Sequence, residues 1–322
     1  MNTPILDRVR AGCARVAQHA QSVHIDWQRI APYALSLPLE RLQQPEHDAA
    51  AHYLGHGDDT AAFFVMLDSI NFGSGYFPHL TKRPGMSGYF TVASSLNDYV
   101  AAHGIPSAQM LTEWTVDDCA RIFGQDPANA PVRELMQLFA TALNDLGHFL
   151  LDQHEGSTAH LIRAADGSAE QLVSLLSAMP FYRDEERYVG EPVAFYKRAQ
   201  LLSADLALAF HGAGLGQFND LHHLTIFADN LVPHVLRMDG VLVYEPALAE
   251  HIDAERLVAA GSREEIEIRA CALHAVEQIG DVLRASGHAI TSMQLDYLLW
   301  NRGQEPYYKR TKPRHRARTV FY

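Results

Sequence analysis

Residues 58–72 read DDTAAFFVMLDSINF, and from Ala61 onward the run is apolar on nearly every side of a helix. Such a helix has no face to offer water, so other elements must enclose it. The same chain supplies them. Helical spacing recurs over residues 2–20, 27–35, 47–53, 89–102, 131–151, 168–179, 262–284 and 291–301, while period-two alternation is nearly absent. Boundary signals agree with this pattern. Thr115-Val116-Asp117-Asp118 and Ser262-Arg263-Glu264-Glu265 are capping boxes, Pro131 suits a first helical turn, and Gly287 suits a stop. Residues 22–26 read as a short extended piece, and 181–189 as the place for short strands. The expected class is therefore mainly α, a single compact multi-helix domain.

A chain of 322 residues is long enough for one large core or two packed subdomains. We expect one domain over 1–322, divisible into an N-terminal subdomain 1–180 and a C-terminal catalytic subdomain 181–322 packed together. The net charge of −12 disfavours a polyphosphate duplex as partner. Three cysteines, Cys13, Cys119 and Cys271, are too few and too far apart for a disulfide framework or a zinc site, which suits a reducing cytoplasm. Asp7, Arg8 and Arg10 interrupt any signal-peptide pattern, and no apolar run is long enough to span a membrane.

Residues 191–239 carry the charges that local pattern explains least. Pro192 reads as the first residue of a helix that Gly212 and Gly214 end. Lys197 then falls at the edge of its buried face, either snorkelling to water or held inside. Asp229 interrupts the apolar run 224–232. Because Pro233 fits only a first helical turn, a helix is expected to begin near Asn230 with Asp229 as its N-cap. A carboxylate held by helix N–H groups is a plain cap, or a fixed anion facing a developing cation. Lys197 and Asp229 in an apolar cleft would make an active site. Asp68 and Asn71, one turn apart, either satisfy each other in the core or line a polar pocket. Asp296, set among Leu295, Tyr297, Leu298, Leu299 and Trp300, must be paired or must await a ligand bearing N–H donors.

Other signals are weaker. Among eighteen histidines, His47-Asp48 with His52 and His56 imitates the doublet of α-helical metal phosphohydrolases, but supporting ligands downstream are missing and a solvated face is preferred. Gly212-Ala213-Gly214-Leu215-Gly216 follows a helix rather than a strand and so fails as a phosphate loop. In the basic tail, Arg316 and Arg318 adjoin a terminal apolar triplet and are candidates to be drawn inward toward a phosphate.

Several separated blocks, in order, resemble the queuosine salvage proteins, which are queuosine 5′-phosphate N-glycosylases/hydrolases. They are Leu67-Asp68-Ser69-Ile70-Asn71-Phe72, Ser87-Gly88-Tyr89, Phe181-Tyr182-Arg183-Asp184, Phe195-Tyr196-Lys197-Arg198-Ala199-Gln200, Ile226-Phe227-Ala228-Asp229, Glu267-Ile268-Arg269, Leu295-Asp296-Tyr297-Leu298-Leu299-Trp300 and His315-Arg316-Ala317-Arg318. The resemblance implies an all-α fold similar to the helix-hairpin-helix DNA glycosylases, which also pair a lysine with a helix-capping aspartate. It implies an enzyme that hydrolyses the N-glycosidic bond of queuosine 5′-phosphate to queuine and ribose 5-phosphate. No metal or organic cofactor is implied.

On that resemblance the catalytic residues are Asp229 and Lys197. Asp229 attacks C1′ or stabilises an oxocarbenium-like sugar, and Lys197 orients it or aids the departing base. Asp68 or Asp296, with Asn71 beside Asp68, would meet the base edge, and Phe72, Tyr89 and Trp300 would stack on it. Arg198, Arg316 and Arg318 are the candidates for the 5′-phosphate. The expected partner is this small nucleotide, with no duplex nucleic acid, no membrane, a monomeric state and a cytoplasmic location. The alternatives are a base-excision DNA glycosylase and a non-catalytic nucleotide-binding protein.

Overall fold

In the computed structural model, which describes residues 3–42 and 45–322, the apolar run forms the helix Asp58–Ser69. Every residue from Thr60 to Ser69 on it is buried, as an all-round apolar surface requires. The structure is mainly helical, with two short two-stranded antiparallel sheets among the described residues. No described helix is long and apolar enough to cross a membrane.

The chain divides into two compact units, each built from discontinuous segments. One comprises 3–42, 45, 184–197 and 220–318; the other comprises 46–183, 198–219 and 319–322. In the second unit the helix Asp58–Ser69 packs on Gly88–His103, Ala130–His154 and Thr158–Ala164. Gly147 lets the longest of these come close to its neighbour. A Cβ there would lie 2.6 Å from the Ala108 carbonyl oxygen. Phe72, Phe139 and Phe123 meet edge to face at 5.3 and 5.4 Å between centroids. The C-terminus is tied in by the Gly73 N–H, which donates to the Tyr322 carbonyl at 3.0 Å.

In the first unit the helices Ile5–His19 and Trp27–Ser36 pack on the long helix Arg263–Ala285. Glu267 of that helix is fully buried. Its Oε2 accepts the N–H groups of Gln21, Ser22 and Val23 at 3.0, 2.6 and 3.1 Å, and its Oε1 accepts the Tyr188 hydroxyl at 2.8 Å. The carboxylate so fixes the turn into the strand Val23–Ile25, which pairs antiparallel with Leu242–Tyr244. The other sheet is the hairpin Glu185–Tyr188 with Glu191–Ala194, closed by Val189 and Gly190 at φ of 52° and 85°. Two positive φ values match the type I′ turn that suits strand twist.

Two local expectations give way here. Pro192 does not open a helix but lies in the strand Glu191–Ala194, opposite Arg187. A proline is tolerated in a two-stranded ribbon because an edge strand has no second neighbour to bond. The helix starts instead at Lys197 and runs to Ala209. Residues 47–53 form a single turn, not a helix. The Asp48 carbonyl takes the N–H groups of Ala51 and His52, and nothing propagates beyond.

Candidate active site

Three of the expected charged residues are brought together within the first unit. The N-cap of the helix Leu231–Met238 is Asn230 rather than Asp229, which stands one residue earlier than expected, yet the Asp229 Oδ1 still accepts the Leu231 N–H at 2.7 Å. Pro233 stands third in that helix, where its missing N–H costs nothing. The carboxylate is half-buried, and its Oδ2 accepts no hydrogen bond from any described residue. Lys197, the first residue of its helix, is only 7% exposed, so it is held inside rather than snorkelling. Its N–H donates to Asp184 Oδ2 at 3.2 Å.

Asp296 is the third. It is buried in the helix Ser292–Gly303, and Oδ1 accepts the Phe227 N–H at 2.9 Å. Burial first and the neighbouring Asp229 charge second raise its carboxyl pKa, the Phe227 N–H and Lys197 pull the other way, and the balance stands at about 8. Around neutrality Asp296 therefore keeps its proton. Trp300, half-buried, follows one turn later on the same helix.

The tail residues separate by environment. Arg316 is occupied, donating to the Glu255 carbonyl at 2.8 Å and pairing with its carboxylate at 3.3 Å. Arg318 is half-buried. Arg314, two residues before Arg316, was not expected in the site. It is exposed as a residue, yet its guanidinium lies among protein atoms that depress its pKa, with Asp229 opposing that effect and Arg316 reinforcing it. It donates no hydrogen bond to a described residue and forms no described ion pair.

In the second unit, Asp68 is fully buried and its Oδ1 accepts from Asn71 Nδ2 at 3.1 Å. Phe72 is 1% exposed, enclosed by Phe139 and Phe181 with the Arg198 guanidinium 5.0 Å from its centroid. Arg198 is equally enclosed. Its NH1 donates to the Asp68 and Ser69 carbonyls at 2.8 and 2.7 Å, and its NH2 to those of Phe181 and Val320. Tyr89 is half-buried against His52. His52 Nδ1 faces the Asp48 carbonyl at 3.0 Å, which can only accept, so Nδ1 carries the proton and Nε2 accepts the Tyr89 hydroxyl at 2.9 Å. Burial lowers the His52 pKa to about 4. With His47 Nε2 bonded to the Asp205 carbonyl at 3.0 Å and His52 buried, these two histidines are packed against protein partners and do not form the solvated face expected of them.

The family model described as queuosine salvage protein matches residues 51–322. The chain belongs to the queuosine salvage protein family. Relatives in that family include a protein of Sphaerobacter thermophilus, 38% identical over 315 residues that cover 96% of this chain and 95% of the relative. One from Mus musculus is 32% identical over 328 residues, covering 95% and 96%. One from Dictyostelium discoideum is 33% identical over 265 residues, covering 82% and 78%. Each is named queuosine 5′-phosphate N-glycosylase/hydrolase.

Two features of this queuosine salvage chain escaped the reading from sequence. Arg314 is one of six basic residues between 309 and 318, and only position distinguishes it from the rest. The buried pair Asp184–Arg269 joins residues 85 positions apart. Both belong to blocks or tails already singled out, but no spacing connects them to Asp229.

Proposed function

We propose that this chain hydrolyses the N-glycosidic bond of queuosine 5′-phosphate, releasing queuine and ribose 5-phosphate. The carrying observation is the grouping of Asp229, Asp296 and Lys197, with Asp229 Oδ2 left without a donor among the described residues. Cleavage of a nucleoside bond develops positive charge at the sugar carbon, and a fixed carboxylate facing it lowers the barrier. Asp229 supplies that charge, as nucleophile or as electrostatic partner. A lysine grouped with an aspartate that accepts an N–H at a helix start also supports the likeness to the helix-hairpin-helix DNA glycosylases. Incubation with queuosine 5′-phosphate and chromatography of the products tests the reading. Queuine and ribose 5-phosphate should appear in equal amounts; intact substrate after prolonged incubation would refute it.

A 7-deazapurine has no N7 to protonate, so help for the departing base must come from another group. Asp296 fits because its proton is retained at neutrality. The acid form is the competent one, so kcat/KM should hold below pH 8 and fall about tenfold per pH unit above it. Asp296→Asn should abolish that alkaline limb along with most of the rate. A flat wild-type profile from pH 6 to 10 would remove Asp296 from the mechanism.

For the 5′-phosphate we assign Arg314, the cation near Asp229 whose donors are uncommitted. Charge-assisted hydrogen bonds of this kind are worth roughly 1.5–3 kcal/mol. Arg314→Ala should therefore raise KM for queuosine 5′-phosphate by about 10- to 100-fold. Inhibition by ribose 5-phosphate should weaken equally. Unchanged inhibition would exclude this assignment.

A further inference from the structure

The resemblance blocks ending in Asp184 and Arg269 have no part in the chemistry above, yet they meet beneath it. Arg269 is 1% and Asp184 2% exposed. The guanidinium grips the carboxylate with two parallel bonds, NH1 to Oδ1 at 2.9 Å and NH2 to Oδ2 at 2.6 Å. Its remaining edge is also used. Arg269 Nε donates to the Ala228 carbonyl at 2.9 Å, one residue before Asp229. Asp184 Oδ2 accepts the Lys197 N–H at 3.2 Å, and the Asp184 carbonyl accepts the Phe195 N–H at 2.9 Å.

A continuous buried chain of bonds thus runs from the Lys197 backbone through Asp184 and Arg269 to the peptide preceding Asp229. The guanidinium face is closed by Phe195, 3.9 Å from the ring centroid. Between Phe195 and Lys197 stands Tyr196 with φ of 49°, a left-handed conformation costly for a side chain of this size. Its hydroxyl is anchored to the Glu185 carboxylate. The segment entering Lys197 is therefore bent and pinned on both sides.

We propose that Arg269 and Asp184 are positioning residues that set the distance between Lys197 and Asp229. This rests on the reading that those two residues perform the hydrolysis. A planar, five-donor guanidinium can hold a carboxylate and a carbonyl at once in a fixed fork, which an ammonium cannot. The role therefore predicts that charge alone is insufficient, and that Arg269→Lys does not restore function.

The test compares wild type with Arg269→Lys and Asp184→Asn, each shown to be folded by its thermal melt at the assay temperature. Displacing a catalytic group by about 1 Å costs on the order of 100-fold, so kcat should drop by about that factor. KM should stay within about threefold, since uniform binding is untouched. The alkaline limb of the rate profile should also move, because Lys197 and Asp229 both act on Asp296. Folded Arg269→Lys with wild-type kcat and an unmoved limb would overturn the proposal, whatever its melting temperature. If Arg269→Lys does not fold, Asp184→Asn carries the same comparison. Hydrogen exchange at the Lys197 amide gives a readout independent of turnover. Exchange should be faster in Asp184→Asn than in wild type, and equal rates would defeat the proposal even if no substrate is ever cleaved.

Discussion

Asp229→Asn should reduce queuine release by about three to four orders of magnitude in kcat/KM. The substitution is nearly isosteric, and the amide oxygen still accepts the Leu231 N–H that Oδ1 takes at 2.7 Å. That bond at the helix start, and with it the fold, is thus retained. What disappears is the negative charge on an oxygen that no described residue engages. Far-ultraviolet circular dichroism and the melting temperature should match wild type, so the lost rate is chemical. Turnover within tenfold of wild type would show that another group stabilises the sugar cation.

Arg198→Met should have the largest effect on stability, lowering the free energy of unfolding by about 3–5 kcal/mol. The side chain is 2% exposed and donates to four carbonyls, those of Asp68, Ser69, Phe181 and Val320. Two of these close the helix Asp58–Ser69, where a cation also complements the helix dipole. Methionine preserves much of the volume but leaves all four acceptors without this donor. Urea unfolding measures the loss. An Arg198→Met protein with wild-type stability but a raised KM only for the phosphorylated substrate would instead support the phosphate role first expected for this residue.

What could be read from the sequence was what local physics determines. The capping box at Thr115 and the cap at Ser262 start helices where their hydroxyls accept N–H groups, although the reciprocal half of the box expected at Ser262 is not formed. Asp229 was legible because Pro233 allows few registers for a helix start. Asp68 and Asn71 were legible as partners from their one-turn spacing, and they do bond. Pro192 misled because a proline satisfies a helix start and an edge strand equally well. The strand Leu242–Tyr244 is three residues long, too short for alternation to register, and it exists only because Val23–Ile25 pairs with it. Arg198 resembled a ligand-binding cation in sequence, and only packing shows how its donors are spent. The Asp184–Arg269 pair lay in two blocks whose meeting no periodicity encodes.

Buried Asp296 has a thermodynamic signature that reaches beyond the reaction. Its folded pKa is raised from 3.8 to about 8, so the native chain binds a proton that the denatured chain releases. This opposes folding progressively as pH rises from about 4 to about 8, and by a constant amount above. Near pH 7 folding should therefore draw a proton from solution at this position, and the calorimetric enthalpy of unfolding should vary with the ionisation heat of the buffer.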